Sequence, residues 1–290
     1  MLMKHGAQSE LSPLRTVIVH RPGLELELIE KESPNKWLFD AKPNLRLAQK
    51  EHDIFTEVLR REGVNVINIE QGTLPNQYFT RDVGFITELG AIVGNFRHEI
   101  RKGEEKPILS KLKCMKIPIL LRLSSNAYLE GGDVIFIDRR EVLIGVGERT
   151  NEEGFRRVKT VLLRKGIVEK VYKIHITCPE AFHLDLAFNI ASESLVALYP
   201  KALPKDFVLF LKSRDYTVIE VPYEDFKNLA INWLAIRPGK VVFIDGYKVN
   251  RDTRRYLEAE GIDVISLEIS ELMKGRGGPR CMTLPVLRED

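Results

Sequence analysis

The chain has 290 residues, 29% of them charged, yet a formal net charge of only +3. It is long enough to bury a full core, and its Lys, Arg, Asp and Glu are interspersed, with no basic tract of the kind that grips nucleic acid. No stretch approaches the ~20 apolar residues of a membrane helix, Met1 to Glu10 lacks a signal-peptide core, and three widely spaced cysteines form neither a disulfide framework nor a zinc pair, so the sequence predicts a cytoplasmic protein without membrane partners.

Hydrophobic patterning predicts a strand at Thr16 to His20, a long helix at Leu45 to Glu62 and a strand at Asn65 to Ile69. A hairpin follows at Gly84 to Glu88 and Ala91 to Gly94, with a weaker helix somewhere in Lys102 to Met115. The unit then recurs most clearly. Val134 to Ile137 and Val142 to Val146 flank a polar turn, Thr150-Asn151-Glu152-Glu153 reads as a capping box opening a helix to about Arg164, and a strand follows near Val168 to Ile176. A further copy has strands at Leu184 to Ile190 and Leu195 to Tyr199, a helix near Pro204 to Ser213 and a strand at Thr217 to Val221. The last has Trp233 to Ile236, Val241 to Ile244, a helix near Asp252 to Glu260 and Asp263 to Leu267. The first unit lacks one hairpin strand, and the C-terminal run Met282 to Leu287 could supply it, closing a ring of five. Repeats of roughly 50 residues argue for one array of supersecondary units, hence a single domain over residues 1–290.

Four polar clusters stand at corresponding places in this pattern: Asn76 to Asp82, Glu130 to Asp133, His183-Leu184-Asp185, and the loop Gly275-Arg276-Gly277-Gly278-Pro279-Arg280-Cys281. Closure of the ring would bring them toward one axis. In a strand, His183 and Asp185 would share a face. A thiol at the end of a glycine-rich loop, with an imidazole available, suits nucleophilic catalysis. An excess of carboxylates around a thiol is the reverse of the usual electropositive setting, so the site expects a cation. Carboxylates facing a planar guanidinium can take paired hydrogen bonds and fix its central carbon against sulfur. A catalytic Cys281 is expected to label faster than Cys114 or Cys178, which read as packing residues. Asp82 and Asp133 have a plainer reading as partners of nearby arginines. The Gly275 to Gly278 run is a poor phosphate loop, because Pro279 and an apolar run follow it where a helix would be needed.

These clusters resemble those of the arginine deiminases, within the guanidine-modifying (pentein) superfamily. The likeness runs from Val17-Ile18-Val19-His20-Arg21-Pro22-Gly23 through Leu38-Phe39-Asp40 and Ala48 to Asp53, the Pro75 to Asp82 block, Gly147-Glu148-Arg149-Thr150 and His183-Leu184-Asp185 to Gly277 to Met282 and Arg288-Glu289. It implies an α/β fold, a five-bladed ββαβ propeller with pseudo-fivefold symmetry whose first and last strands close the ring. It further implies Cys281 as nucleophile, His183 as acid–base, Asp82 and Asp185 as guanidinium clamps and Glu130 as a further contact, with Asn76, Phe79, Arg101, Arg149, Arg276 and Leu38 binding substrate. Arg276 matches an arginine on a mobile loop that can occupy the guanidinium site. The expected reaction is hydrolysis of L-arginine to L-citrulline and ammonia through a cysteine thiouronium, with no cofactor and no metal, and L-arginine as the small-molecule partner. Homo-oligomerisation stays open. Alternatives are an arginine dihydrolase, an amidinotransferase, an agmatine or methylarginine hydrolase, or a noncatalytic binding protein on the same propeller. One departure stands out: where larger bacterial deiminases carry an inserted helical bundle, only Gln71-Gly72-Thr73-Leu74 joins Glu70 to Pro75.

Overall fold

The computed structural model describes residues 3–69, 72–246 and 249–289. Glu70 and Gln71, at the start of the short linker, lie outside the described residues. The chain opens with β1 (Leu14–His20), α1 (Leu45–Arg61) and β2 (Asn65–Ile69). Asn44 caps α1, its side chain accepting from Leu47 N at 3.1 Å, and the buried positions Ala48, His52, Phe55, Thr56 and Leu59 recur at helical spacing, laying one stripe on the sheet. Truncating a buried aromatic such as Phe55 to Ala would cost about 3–5 kcal/mol.

Three further units follow the same plan. The first is β3 (Gly84–Thr87), β4 (Gly90–Val93), α2 (Glu105–Cys114) and β5 (Ile119–Arg122). The second is β6 (Val134–Phe136), β7 (Glu141–Val146), α3 (Glu152–Arg164) and β8 (Lys170–His175). The third begins with a helical turn, α4 (Leu184–Ala187), before β9 (Phe188–Ile190), β10 (Leu195–Leu198), α5 (Lys205–Lys212) and β11 (Thr217–Glu220). The last unit adds α6 (Tyr223–Lys227), β12 (Leu234–Arg237), β13 (Lys240–Ile244), α7 (Arg251–Ala259) and β14 (Asp263–Leu267), and β15 (Leu284–Arg288) ends the chain.

Each unit forms its own three-stranded sheet, with a central strand antiparallel to one neighbour and parallel to the other. In the first sheet the antiparallel partner of β1 is β15, paired from Leu14↔Arg288 to Ile18↔Leu284, so the two ends of the chain meet as the sequence predicts. Inner strands such as Gly84–Thr87, Glu141–Val146 and Leu195–Leu198 are buried throughout, which is why they read as unbroken apolar runs. The outer parallel strands are only partly covered.

Two local expectations fail. The run Leu184 to Ile190 is not one strand, because α4 precedes β9 and places His183 in extended backbone and Asp185 within a helical turn. Their side chains therefore diverge. The α3 cap is Asn151, whose side chain accepts from Gly154 N at 2.9 Å, whereas the Thr150 hydroxyl turns inward to Asp133. Gly154 permits this entry, since a Cβ there would lie 1.9 Å from the Tyr128 carbonyl oxygen. Among the described residues no helix is long and apolar enough to cross a membrane.

Candidate active site

The short segment before each hairpin has a common form. Thr80–Val83 and Gly131–Asp133 are 3-10 turns ahead of β3 and β6, and α4 plays the same part ahead of β9. A tight turn there swings a polar side chain out of the sheet. Asp82, Glu130, Asp133, His183, Asp185, Asn232 and Cys281 all sit on such junctions, Asn232 before β12 and Cys281 before β15, and all are buried.

Cys281 is held by its backbone. Asn232 Oδ1 accepts from Cys281 N at 3.2 Å and from Gly278 N at 2.9 Å, while Asn232 Nδ2 donates to the Asp185 carbonyl at 3.2 Å. One carboxamide thus ties the Cys281 loop to the turn carrying Asp185. The Cys281 thiol faces Asp185 Oδ2 at 3.6 Å. Burial, then the charges of Asp185 and Asp82, push the thiol well above its usual range, so at neutral pH it keeps its proton. Burial of Cys281 and exposure of Cys114 both oppose the faster labelling of Cys281 expected from sequence. Behind it, Arg280 donates to Asp185 Oδ2 at 2.7 Å and forks onto Glu10 at 2.8 and 3.2 Å, leaving Asp185 Oδ1 buried without a partner.

His183 is fully buried, with Nε2 2.9 Å from Glu130 Oε2 and Nδ1 3.8 Å from Asp82 Oδ1. Burial opposes its charge, but Asp82, Glu130 and Asp133 together outweigh burial and raise it to about 9. The imidazole is therefore an imidazolium at neutral pH. Gly132 lies against its ring, where a Cβ would come within 2.7 Å of Nδ1. Glu130 Oε2 also accepts from Arg101 at 3.2 Å and Arg149 at 3.1 Å, and these cations with His183 overcome burial and hold Glu130 ionised. Asp133 takes no arginine. It accepts from Thr150 at 2.6 Å and Leu184 N at 2.9 Å, and burial raises it to about 7.

A small cavity of about 10 Å³ meets Leu38, Asn76, Phe79, Asp82, Arg101, Arg149, His183, Arg276 and Cys281, together with Phe182 and the loop glycines Gly275 and Gly277. All six residues expected to bind substrate thus border one space with the thiol and imidazole. Their partners differ from expectation in one case. Arg101 is spent on acids: Nη1 donates to Asp82 at 2.8 Å and to Glu130, while Nε and Nη2 hold Glu104. It offers little to a substrate carboxylate in this conformation. Asn76 Nδ2 donates to the Trp37 carbonyl at 2.8 Å, and Arg149 and Arg276 both lie over the Phe182 ring. Arg276 has φ +67 on its loop, its side chain 42% exposed and 3.4 Å from Asp40, so it lines the cavity without filling the guanidinium position. Leu38 is likewise left-handed, φ +65, at the end of a 3-10 turn.

Asp82, Glu130 and His183 present ligand atoms within 4.8 Å of one another. A divalent ion there would face two buried guanidiniums already bonded to Glu130, so the trio fits a proton and cation site better than a metal centre. Asn232 and Phe182 are the contributors that sequence reading missed. The signal for Asn232 was its place two residues before β12, matching Asp82 two residues before β3.

A sequence model of the eukaryotic N,N dimethylarginine dimethylhydrolases matches residues 31–288. The Bacillus subtilis protein YkgA is 31% identical over 287 residues, covering 98% of this chain and 96% of its own. An arginine deiminase of Listeria welshimeri is 26% identical over 401 aligned positions, covering 97% of this chain and 98% of its own. Among solved structures, a Pseudomonas aeruginosa dimethylarginine dimethylaminohydrolase mutant complexed with citrulline superposes with a TM-score of 0.77 at 23% identity, over 94% of this chain and 99% of that one. The N-terminal domain of ArgZ, covalently bonded to a reaction intermediate, superposes with a TM-score of 0.81 at 19% identity, over 94% and 98%. These superpositions show the fold.

Proposed function

The chain belongs to the N,N dimethylarginine dimethylhydrolase family, and from that premise we propose that it hydrolyses L-arginine to L-citrulline and ammonia. It is an enzyme of the pentein superfamily acting on guanidino C–N bonds, and we take its five sheets as the blades of the propeller and residues 1–290 as one catalytic domain. The observation that carries arginine rather than a methylated arginine is the pair of buried carboxylate oxygens without a hydrogen-bond partner, Asp82 Oδ1, which lies 3.8 Å from His183 Nδ1, and Asp185 Oδ1. Unsubstituted terminal nitrogens supply N–H donors to both. A dimethylated nitrogen has none on that side and would leave an ionised carboxylate buried against methyl groups, at a cost of about 1–3 kcal/mol or more.

The chemistry follows from the proton inventory. Guanidinium binding beside Asp82 and Asp185 neutralises the charges that hold the Cys281 thiol protonated, and the thiol proton leaves to solvent. The thiolate attacks the central guanidino carbon, giving a neutral tetrahedral adduct. His183, an imidazolium, protonates the departing nitrogen, the C–N bond breaks and ammonia leaves a cationic thiouronium. Neutral His183 then takes a proton from water as its oxygen adds to that carbon. The C–S bond breaks, and sulfur recovers its proton from the protonated product, leaving citrulline.

Purified protein incubated with L-arginine should release citrulline and ammonia in a one-to-one ratio, and Cys281→Ala should release neither. Dimethylamine from N,N-dimethylarginine as the faster product would replace this reading with the dimethylaminohydrolase one. Ornithine with two ammonia would replace it with a dihydrolase.

A further inference from the structure

We propose that Phe182 is a positioning residue that sets substrate specificity, its ring holding Arg149 and Arg276 as a two-guanidinium receptor for the carboxylate of an amino-acid guanidine; this rests on the L-arginine reading above. Phe182 is 8% exposed and borders the same cavity as Cys281. The Arg149 guanidinium carbon lies 4.7 Å from the ring centroid and that of Arg276 lies 5.5 Å from it. Both are within the range where the π face attracts a cation. Neither arginine is saturated elsewhere: Arg149 gives one hydrogen bond to Glu130 and a 3.4 Å ion pair to Glu148, and Arg276 has a 3.4 Å ion pair with Asp40. Donors therefore remain on both for an anion.

Two guanidiniums bordering one small cavity repel each other until an anion arrives, and the electron-rich ring offsets part of that repulsion. Phe182 also packs edge-on against His183, with ring centroids 5.1 Å apart, on the adjacent residue of the same backbone. The carboxylate receptor is thereby fixed in distance from the proton donor. A substrate with its carboxylate at the arginine spacing engages both ends together, and a guanidine without a carboxylate leaves the receptor empty.

The test compares Phe182→Leu, which keeps bulk and removes the π face, with Phe182→Tyr, which keeps it. KM for L-arginine should rise about tenfold in F182L with kcat within twofold, and F182Y should return within threefold of wild type. Calorimetric binding of L-arginine to Cys281→Ala should weaken by the same factor when F182L is added. An unchanged KM in F182L, or a fall in kcat at unchanged KM, would overturn the receptor and assign the ring to His183 alone. If F182L does not fold, Phe182→Met carries the same comparison. Absence of citrulline from wild type, with L-arginine still bound by C281A and weakened by F182L, would sink the hydrolysis reading and leave the receptor standing.

Discussion

Asp185→Asn should make Cys281 more reactive as a thiol and less competent as a catalyst. Asp185 Oδ2 lies 3.6 Å from the sulfur, and its charge is, after burial, the largest influence raising the thiol. At that separation and an effective dielectric of about 20, Coulomb's law gives roughly 4–5 kcal/mol. Taking about half of that for relaxation leaves roughly 2 kcal/mol, or about 30-fold in the thiolate population. Iodoacetamide should therefore alkylate Cys281 of D185N about 10–100-fold faster than wild type at pH 8. Turnover should move the other way. Removing one side of a buried charged contact to the guanidinium costs about 3–5 kcal/mol, or roughly two to four decades in kcat/KM. Rates of modification followed by mass spectrometry, set beside citrulline formation, give both readouts on one preparation. Slower alkylation in D185N, or kcat/KM within threefold of wild type, would refute the account of Asp185 as both the brake on the thiol and the clamp on the substrate.

Arg149→Ala should raise KM for L-arginine about tenfold or more while kcat changes little, read from initial rates. Asn232→Ala should lower kcat about tenfold at nearly constant KM, since it frees the backbone of Gly278 and Cys281 without touching the cavity wall. His183, raised to about 9 from an unfolded value near 6.5, adds stability that is complete below pH 6.5 and lost as pH rises through 9. Holding the imidazole charged up to about pH 9 is worth about 3 kcal/mol, so the urea midpoint should fall between pH 7 and 10, and a flat midpoint would contradict the pairing. The same deprotonation should cut kcat/KM above pH 9, with Glu130→Gln moving that limb to lower pH.

The repeat was legible because the inner strands, buried on both faces, are continuous apolar runs such as Val142 to Val146 and Val241 to Ile244. The polar clusters stood out against them for the same reason. What sequence could not supply was the conformation of the junctions. His183 and Asp185 look like neighbours on a strand, yet the α4 turn sends one to Glu130 and the other to Arg280. Arg101 was legible as a site residue but not in its engagement, since four acceptor atoms on Asp82, Glu130 and Glu104 reach it from two units of the fold. Asn232 escaped because a carboxamide before a Trp carries no chemistry by itself. Only its register with Asp82, each two residues ahead of its strand, gives it meaning.

That register also explains how a thiol can be kept unreactive in a site built to use it. The carboxylates of Asp185 and Asp82 that raise Cys281 also carry the oxygens that lack a hydrogen bond and suit a guanidinium. A neutral molecule or an anion entering the cavity leaves those charges exposed to the sulfur, so the thiol stays protonated. A guanidinium cancels them as it docks. Activation is therefore coupled to binding by the same atoms. His183 owes its charge to Asp82 first and then to Glu130 and Asp133, and once a guanidinium occupies Asp82 the 2.9 Å contact to Glu130 Oε2 still holds the proton for the leaving nitrogen. Had the thiolate been paired with His183 from the start, as in the usual cysteine–histidine arrangement, the imidazolium would stabilise the nucleophile and the acid together and lower the driving force of both. Separating the two across different junctions lets the substrate's own charge decide when the nucleophile forms.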